Sequence, residues 1–484
     1  MILERIPEKP RKEYPSSTNF DAEIIKQVGH FKELRALNEL LRIIKFDPNL
    51  KLEWHYFDRK YIIAFAVKAV AELLEEESFP LIKKYILLGR KDEDPEELAT
   101  IRYHTLIPFI KYGKDNPIAE EALSIATSDP SNGISGIANN FIAGKIESQS
   151  LLNRFKGCLL GFAIGDSLGK IVEGRVPPHP IYGYQPWNDL LPYKKQISYT
   201  DDTQLTIALC NTYIFSGKGD PHVFGKEILK IERIFGIGNA TKQALNRLKA
   251  GIPATESGVN SGGNGVLMRS IPIALSWLKR YINNNDLGWI DDVRSTGKVT
   301  HTQPIAISSS IGFVWFLVNI LNSSVDDFVK HESKISVLNE LADFIRSLPE
   351  DRHAYEPRNP KGKGGSIRLS DRIDSDLYPS VKTFISKRRN LESFNSAFYS
   401  GAFALETLPF CIMSFLAHYD SPIDIVFQSI SWSKDADTIG ALSASLAGAM
   451  YGIDFMPKSW LNSFKEYQQI EKMAETLYTK FYSE

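Results

Sequence analysis

Two short acidic signatures in this chain have the residue types for metal chemistry: Thr200-Asp201-Asp202-Thr203 and Asp435-Ala436-Asp437-Thr438. They stand more than two hundred residues apart, and each immediately precedes a helix-like apolar pattern. Carboxylates at a helix start gain from the unpaired backbone N–H groups and the positive end of the helix dipole. Two such clusters brought together would repel strongly without a cation between them. The donors are Asp carboxylates with Thr hydroxyl or carbonyl oxygens, and no Cys or His is spaced for ligation nearby. Hard cations such as Mg²⁺ or Mn²⁺ are therefore expected rather than Zn²⁺. The plainer alternative is a pair of unrelated N-caps, since Asp and Thr cap helices often.

Something must hold the two signatures at one point, and the flanking glycines supply it. Gly157, Gly161, Gly165 and Gly169 recur at every fourth position before the first signature, and Gly440, Ala444, Gly448 and Gly452 follow the second. On a helix this spacing makes one flat stripe. Each helical Gly costs about 1 kcal/mol relative to Ala, so a repeated stripe implies that another backbone approaches closely there. Asp166, Lys170 and Glu173 interrupt the first segment, which argues against a membrane-packing motif.

From Leu151 to the C-terminus the chain resembles the ADP-ribosylglycohydrolases, also called the dinitrogenase reductase-activating glycohydrolase family. Six blocks in order carry the resemblance. The first is the Gly-rich segment ending Gly165-Asp166-Ser167-Leu168-Gly169, with Glu173 after it, and the second is Thr200-Asp201-Asp202-Thr203. Then come Gly263-Asn264-Gly265-Val266-Leu267-Met268-Arg269 with Pro272, and Thr300-His301. The last are Gly401-Ala402-Phe403-Ala404-Leu405-Glu406-Thr407-Leu408 and Asp435-Ala436-Asp437-Thr438 running on to Gly452.

The resemblance implies a compact all-α domain with two Mg²⁺ or Mn²⁺ ions. Its expected activity is hydrolysis of the glycosidic bond between ADP-ribose and a protein side chain or a related acceptor. Carried over by residue, it makes Thr200, Asp201, Asp202, Asp435, Asp437 and Thr438 metal ligands. Glu173 and Asp202 become the catalytic candidates, with Glu173 activating water or contacting a metal. Ser261, Gly263, Asn264 and Gly265 are expected around the substrate phosphates, and His301 in contact with substrate. The alternative is a non-catalytic relative, an ADP-ribose-binding or crystallin-like structural protein; retention of every proposed ligand argues for activity.

The chemistry agrees with these roles. Cleaving a ribosyl bond builds oxocarbenium character, which calls for nearby negative charge, an oriented water and a stabilised leaving group. Two metals about 3.5–4 Å apart can bind vicinal hydroxyls and a water together. Adjacent Asp201 and Asp202 project in different directions and can serve different metals. The Ser/Gly/Asn loop has little bulk and can turn N–H groups toward a diphosphate, though the same residues also make plain turns. Lys434 stands where family members usually carry a small residue, and either pairs with a phosphate or points to solvent. No aromatic is evident at the phosphate loop to stack on a base. The polar, Gly/Lys-rich stretch from His353 to Arg372 lacks the Walker spacing and reads as a mobile surface insertion.

At 484 residues and 43% hydrophobic content the chain is long enough for two or three domains. A formal net charge of -1 gives no electrostatic case for nucleic acid or an anionic membrane. Three cysteines, Cys158, Cys210 and Cys411, fall in apolar helical patterns and read as buried thiols. The charged N-terminus carries Pro7 and Pro10 and has no signal-peptide core, so the cytoplasm is the expected compartment. The run from Ile305 to Leu321 contains Ser308-Ser309-Ser310 and reads as a buried helix.

The first part of the chain is a different object. Residues 1–20 read as a tail and 21–147 as a smaller helical domain, with 148–484 as the catalytic one. Apolar positions Leu34, Leu37, Leu40, Leu41 and Ile44, then Ile62, Ala66, Val67, Ala69, Val70 and Leu73, have helical spacing. Asp47-Pro48, Asp94-Pro95 and Asp129-Pro130 punctuate the helices. Either HEAT-like pairs that bind a protein partner or an irregular helical domain fits this pattern. The boundary is expected in the polar stretch from Lys145 to Ser150.

Overall fold

The computed structural model describes residues 37–44, 56–88, 90, 98–113, 116–130, 134–135, 138, 151–174, 177, 197–323, 331–358, 365–381, 399–419, 422–456 and 458–482. Among the described residues the regular structure is helical, with only isolated β-bridges. The all-α expectation therefore holds. By contacts the chain divides into two units. One comprises Met1–Ile146, Pro180–Lys195 and Asp454–Leu461, and the other Glu147–His179, Gln196–Ile453 and Asn462–Glu484.

In the first unit the helices of eight or more residues are α1 (Leu37–Ile44), α2 (Tyr56–Leu74), α3 (Ala99–Tyr112) and α4 (Pro117–Ala126). Asn116 caps α4, its side chain accepting from the N–H of Ile118 at 3.0 Å, and Pro117 starts the helix where its missing N–H costs nothing. Leu40, Val67, Val70, Phe79, Leu106 and Phe109 form the core. Asp129 does more than punctuate: it is buried and accepts from Arg102 Nε at 2.9 Å and Nη2 at 3.1 Å. Asp47-Pro48, Asp94-Pro95 and the stretch from Lys145 to Ser150 lie outside the described residues.

The second unit begins with α5 (Leu151–Gly169) and α6 (Asp201–Ser216). It continues with α7 (Pro221–Leu229), α8 (Asn239–Lys249), α9 (Ile271–Asn284), α10 (Trp289–Gly297), α11 (Pro304–Leu321) and α12 (His331–Arg346). Last come α13 (Ala404–Ala417), α14 (Pro422–Ser431), α15 (Ala436–Tyr451) and α16 (Tyr467–Tyr482). The glycine stripes meet: α5 packs antiparallel on α15, Gly157 against Gly448 and Gly452, Gly165 against Gly440, and Gly169 against Ala436. A Cβ on Gly440 would stand 2.9 Å from the Gly165 carbonyl, and one on Gly169 would stand 2.6 Å from Asp437 Cα. This contact brings the C-terminal end of α5 to the N-terminal end of α15, where the second acidic signature begins.

Helix α11 is long and apolar enough to cross a membrane, but 89% of it is buried in the protein. Its Ser310 bonds back to the Ala306 carbonyl at 2.8 Å, so the hydroxyl is satisfied inside the core. Cys158, Cys210 and Cys411 are free and buried, and burial pushes each thiol up.

Candidate active site

Asp166, in the last turn of α5, organises the first acidic turn. It is fully buried and accepts from Thr200 N at 3.0 Å, Thr203 N at 3.1 Å and Thr203 Oγ1 at 2.6 Å. Thr200 in turn caps α6, its hydroxyl accepting from Asp202 N at 3.3 Å. Asp166 thus fixes the start of α6, and with it the directions of Asp201 and Asp202. The sequence does not assign Asp166 this organising role; a carboxylate inside the otherwise apolar and small-residue run of α5 is the available signal.

The second turn is held from another side. Asp435 N donates to the Ser400 carbonyl at 3.1 Å, while Asn264 Nδ2 donates to Asp435 Oδ2 at 2.5 Å and to Thr407 Oγ1 at 3.1 Å. Asp437 accepts from the Thr438 N–H at 2.8 Å. Carboxylate oxygens of Glu173, Asp435 and Asp437 lie within 4.8 Å of one another. The exposed Glu173 thereby stands beside the second turn.

These acids are crowded and desolvated. Burial raises Asp166 and Asp435 to about 6 and, with help from Asp166, Asp201 to about 7. Burial and then the Asp437 charge push Asp202 well up, and burial with Asp435 and Glu173 does the same to Asp437. Asp202 Oδ2 is buried with no hydrogen-bond partner inside the protein. A buried oxygen without a partner costs free energy, and several carboxylates around it add repulsion. A divalent cation answers both, and an all-oxygen donor set fits Mg²⁺ or Mn²⁺. Asp201, Asp202, Asp435, Asp437, Thr438 and Glu173 all border one cleft of about 680 Å³. The residues present therefore fit a metal. Thr200, expected as a ligand, is not among the residues lining the cleft, and its hydroxyl accepts from Asp202 N at the cap of α6.

Ser261, Gly262, Gly263, Asn264, Gly265 and His301 form the facing wall. Two expectations change here. The Gly263 and Asn264 N–H groups are used internally, by Ser261 Oγ at 3.3 Å and the Ala402 carbonyl at 3.0 Å, so they do not point at a ligand. The Asn264 amide, expected near the phosphates, orients Asp435 instead. What the glycines provide is room: a Cβ on Gly265 would stand 3.1 Å from His301 Nε2.

His301 is buried, and desolvation followed by the nearby Arg269 charge lowers it to about 3, so it is neutral. Arg269 Nη2 donates to Thr300 Oγ1 at 2.7 Å, and Thr300 Oγ1 lies 2.8 Å from His301 Nδ1. The Nε2 side of the ring faces Gly263 and Gly265.

From the 353–372 stretch, whose described residues are mostly at the surface near its start, Tyr355, Glu356 and Arg358 line the cleft. Tyr355 N and O pair with Ile367, which fixes the segment as one arm of a short bridge. Residues 359–364 lie outside the described residues. An aromatic does stand at the glycine loop, because Gly263 bridges to Phe403, whose ring lies edge-on to Tyr355 at 6.4 Å. The Arg358 guanidinium sits 5.3 Å above Phe403. The half-buried Lys434 packs its ammonium 3.8 Å from the Tyr399 ring centre.

A profile of the family described as ADP-ribosylglycohydrolase matches residues 147–484. The chain is 25% identical over 349 residues to ADP-ribosylarginine hydrolase Tri1 of Pseudomonas putida (strain GB-1), covering 69% of this chain and 80% of that protein. It is 26% identical over 365 residues to ADP-ribosylhydrolase ARH3 of Homo sapiens, covering 68% of this chain and 94% of that protein. A solved chain titled "ADP-ribosylglycohydrolase-related protein complex" matches at 24% identity, 68% of this chain and 98% of that one, with a TM-score of 0.49. With the profile covering well over half the sequence, the chain belongs to the ADP-ribosylglycohydrolase family and is a glycosidic-bond hydrolase acting on ADP-ribose linkages.

Proposed function

We propose that the protein removes ADP-ribose from a modified protein side chain, using a divalent-metal site held by Asp201, Asp202, Asp435, Asp437 and Thr438. The observation that carries this reading is the partnerless buried Asp202 Oδ2 amid carboxylates on the floor of a cleft walled by the glycine loop. When bound, Mg²⁺ or Mn²⁺ supplies Lewis acidity toward ribose hydroxyls and a water of lowered pKa.

The chain's own residues do the rest. Asn264, Thr407 and the Ser400 carbonyl hold Asp435 in place, and Asp166 does the same for the first turn. Glu173, exposed at the rim beside Asp435 and Asp437, takes the proton from the attacking water. The anionic floor favours the oxocarbenium-like charge on the ribose. The neutral His301 meets the diphosphate, and Phe403, Tyr355 and Arg358 receive the flat base. The first unit selects the modified target. Arginine N-glycosides and serine O-glycosides are both suitable leaving acceptors.

The test is release of free ADP-ribose from ADP-ribosylated arginine and serine peptides, with Mg²⁺, with Mn²⁺ and after chelation. Metal-dependent release from at least one is expected. Turnover of neither, or undiminished turnover after chelation, contradicts the reading.

A further inference from the structure

One buried carboxyl in the second unit belongs to neither acidic turn. Glu406, in the first turn of α13, has no exposed surface. Its two oxygens serve different segments: Oε1 accepts from the Arg358 N–H at 3.0 Å and Oε2 from the Gly401 N–H at 3.3 Å. The first partner lies in the wall segment carrying Tyr355 and Arg358. The second closes a turn in which Tyr399 (φ 64°) and Ser400 (φ 45°) both hold left-handed backbone, unusual for non-glycine residues. That turn matters because the Ser400 carbonyl receives the N–H groups of Lys434 and Asp435 at 3.2 and 3.1 Å.

We propose that Glu406 is a positioning residue whose carboxylate ties the base-side wall of the cleft to the turn that seats Asp435, fixing the span between the two ends of an ADP-ribosyl ligand. The idea rests on the function proposed above. The two attachments are unequal. The Tyr399–Gly401 turn has independent support, from Thr407 Oγ1 donating to the Gly401 carbonyl at 2.9 Å and from Lys434 packed on Tyr399. Among the described residues, the hydrogen bond that reaches the end of the wall segment beyond the Tyr355–Ile367 bridge is the Arg358 N–H to Glu406, with the Arg358 guanidinium over the Phe403 ring as the other hold there. Loosening Glu406 therefore frees the wall before it disturbs the metal side.

Glutamine at 406 keeps the volume but has one acceptor oxygen in place of two, so Glu406→Gln retains one of the two bonds. Alanine retains neither and leaves a hole in the core. The experiment is calorimetric binding of ADP-ribose and of ribose 5-phosphate, with saturating Mg²⁺, to the full chain and to Glu406→Gln and Glu406→Ala, alongside Mg²⁺ binding to each.

In Glu406→Gln the proposal expects ADP-ribose to bind about tenfold more weakly. Ribose 5-phosphate, which lacks the adenylate half, should change by less than about twofold, and Mg²⁺ affinity should be unchanged. Glu406→Ala should widen the same contrast. Equal losses for both ligands, lost Mg²⁺ affinity in the glutamine variant, or unaltered ADP-ribose binding would each overturn it. If the wild type binds ADP-ribose yet hydrolyses no ADP-ribosyl peptide, the proposed function fails while this comparison still decides the role of Glu406.

Discussion

Glu173 lies beside Asp435 and Asp437, yet it is open to solvent where Asp435 is half-buried and Asp437 buried. An exposed carboxylate at the rim can meet an incoming water, so Glu173→Gln should lower kcat at least ~100-fold while ADP-ribose affinity stays similar. Steady-state kinetics with parallel binding measurements check this; near-normal turnover would move the base to Asp202 or Asp166. The buried acids set a pH dependence of their own. Without metal, Asp166 and Asp435 at about 6 and Asp201 at about 7 hold protons that the unfolded chain releases near 4. The stability linked to those protons is present below about pH 4 and is lost as pH rises through 6 to 7. Metal must displace the same protons, so its stabilisation grows over that range. Melting curves should show the metal-free protein losing stability from pH 5 to 7.5, and Mg²⁺ raising Tm more at pH 7.5 than at pH 5.5. An Mg²⁺ gain independent of pH would count against carboxylate ligation.

At the scale of helices, the α5–α15 contact is what turns two distant sequence motifs into neighbours. Alanine in place of Gly165 gains about 1 kcal/mol of helix propensity, but its Cβ would run into the Gly440 backbone. Overpacking of that kind costs about 1–3 kcal/mol, so Gly165→Ala should lower Tm and weaken Mg²⁺ binding together. This pairing was legible in the sequence because both stripes have the period of a helix and sit beside the two acidic turns. The aromatic wall was not. Tyr355, Arg358 and Phe403 carry no periodic signal, and they come together only through backbone bridges at Tyr355–Ile367 and Gly263–Phe403. Lys434 was ambiguous for the same reason, since its partner Tyr399 lies 35 positions away.

For the molecule as a whole, every proposed ligand lies beyond Ser148, and the ADP-ribosylglycohydrolase profile begins at residue 147. A truncated protein starting at Ser148 should bind Mg²⁺ and hydrolyse a small ADP-ribosyl substrate while losing preference among modified proteins. Asp454–Leu461 groups with the first unit, so a truncated protein that binds metal but cannot turn over the small substrate would show that the catalytic part needs that unit. The account depends most on Asp201, Asp202, Asp435 and Asp437 sharing one metal site, and calorimetric titration of Mg²⁺ into the wild type and Asp437→Ala measures that directly. Saturable binding by the wild type, worth about 2.7 kcal/mol of added stability at a hundredfold excess over Kd, and its loss in Asp437→Ala are the predicted results. Identical Mg²⁺ binding by the two proteins would contradict the shared site.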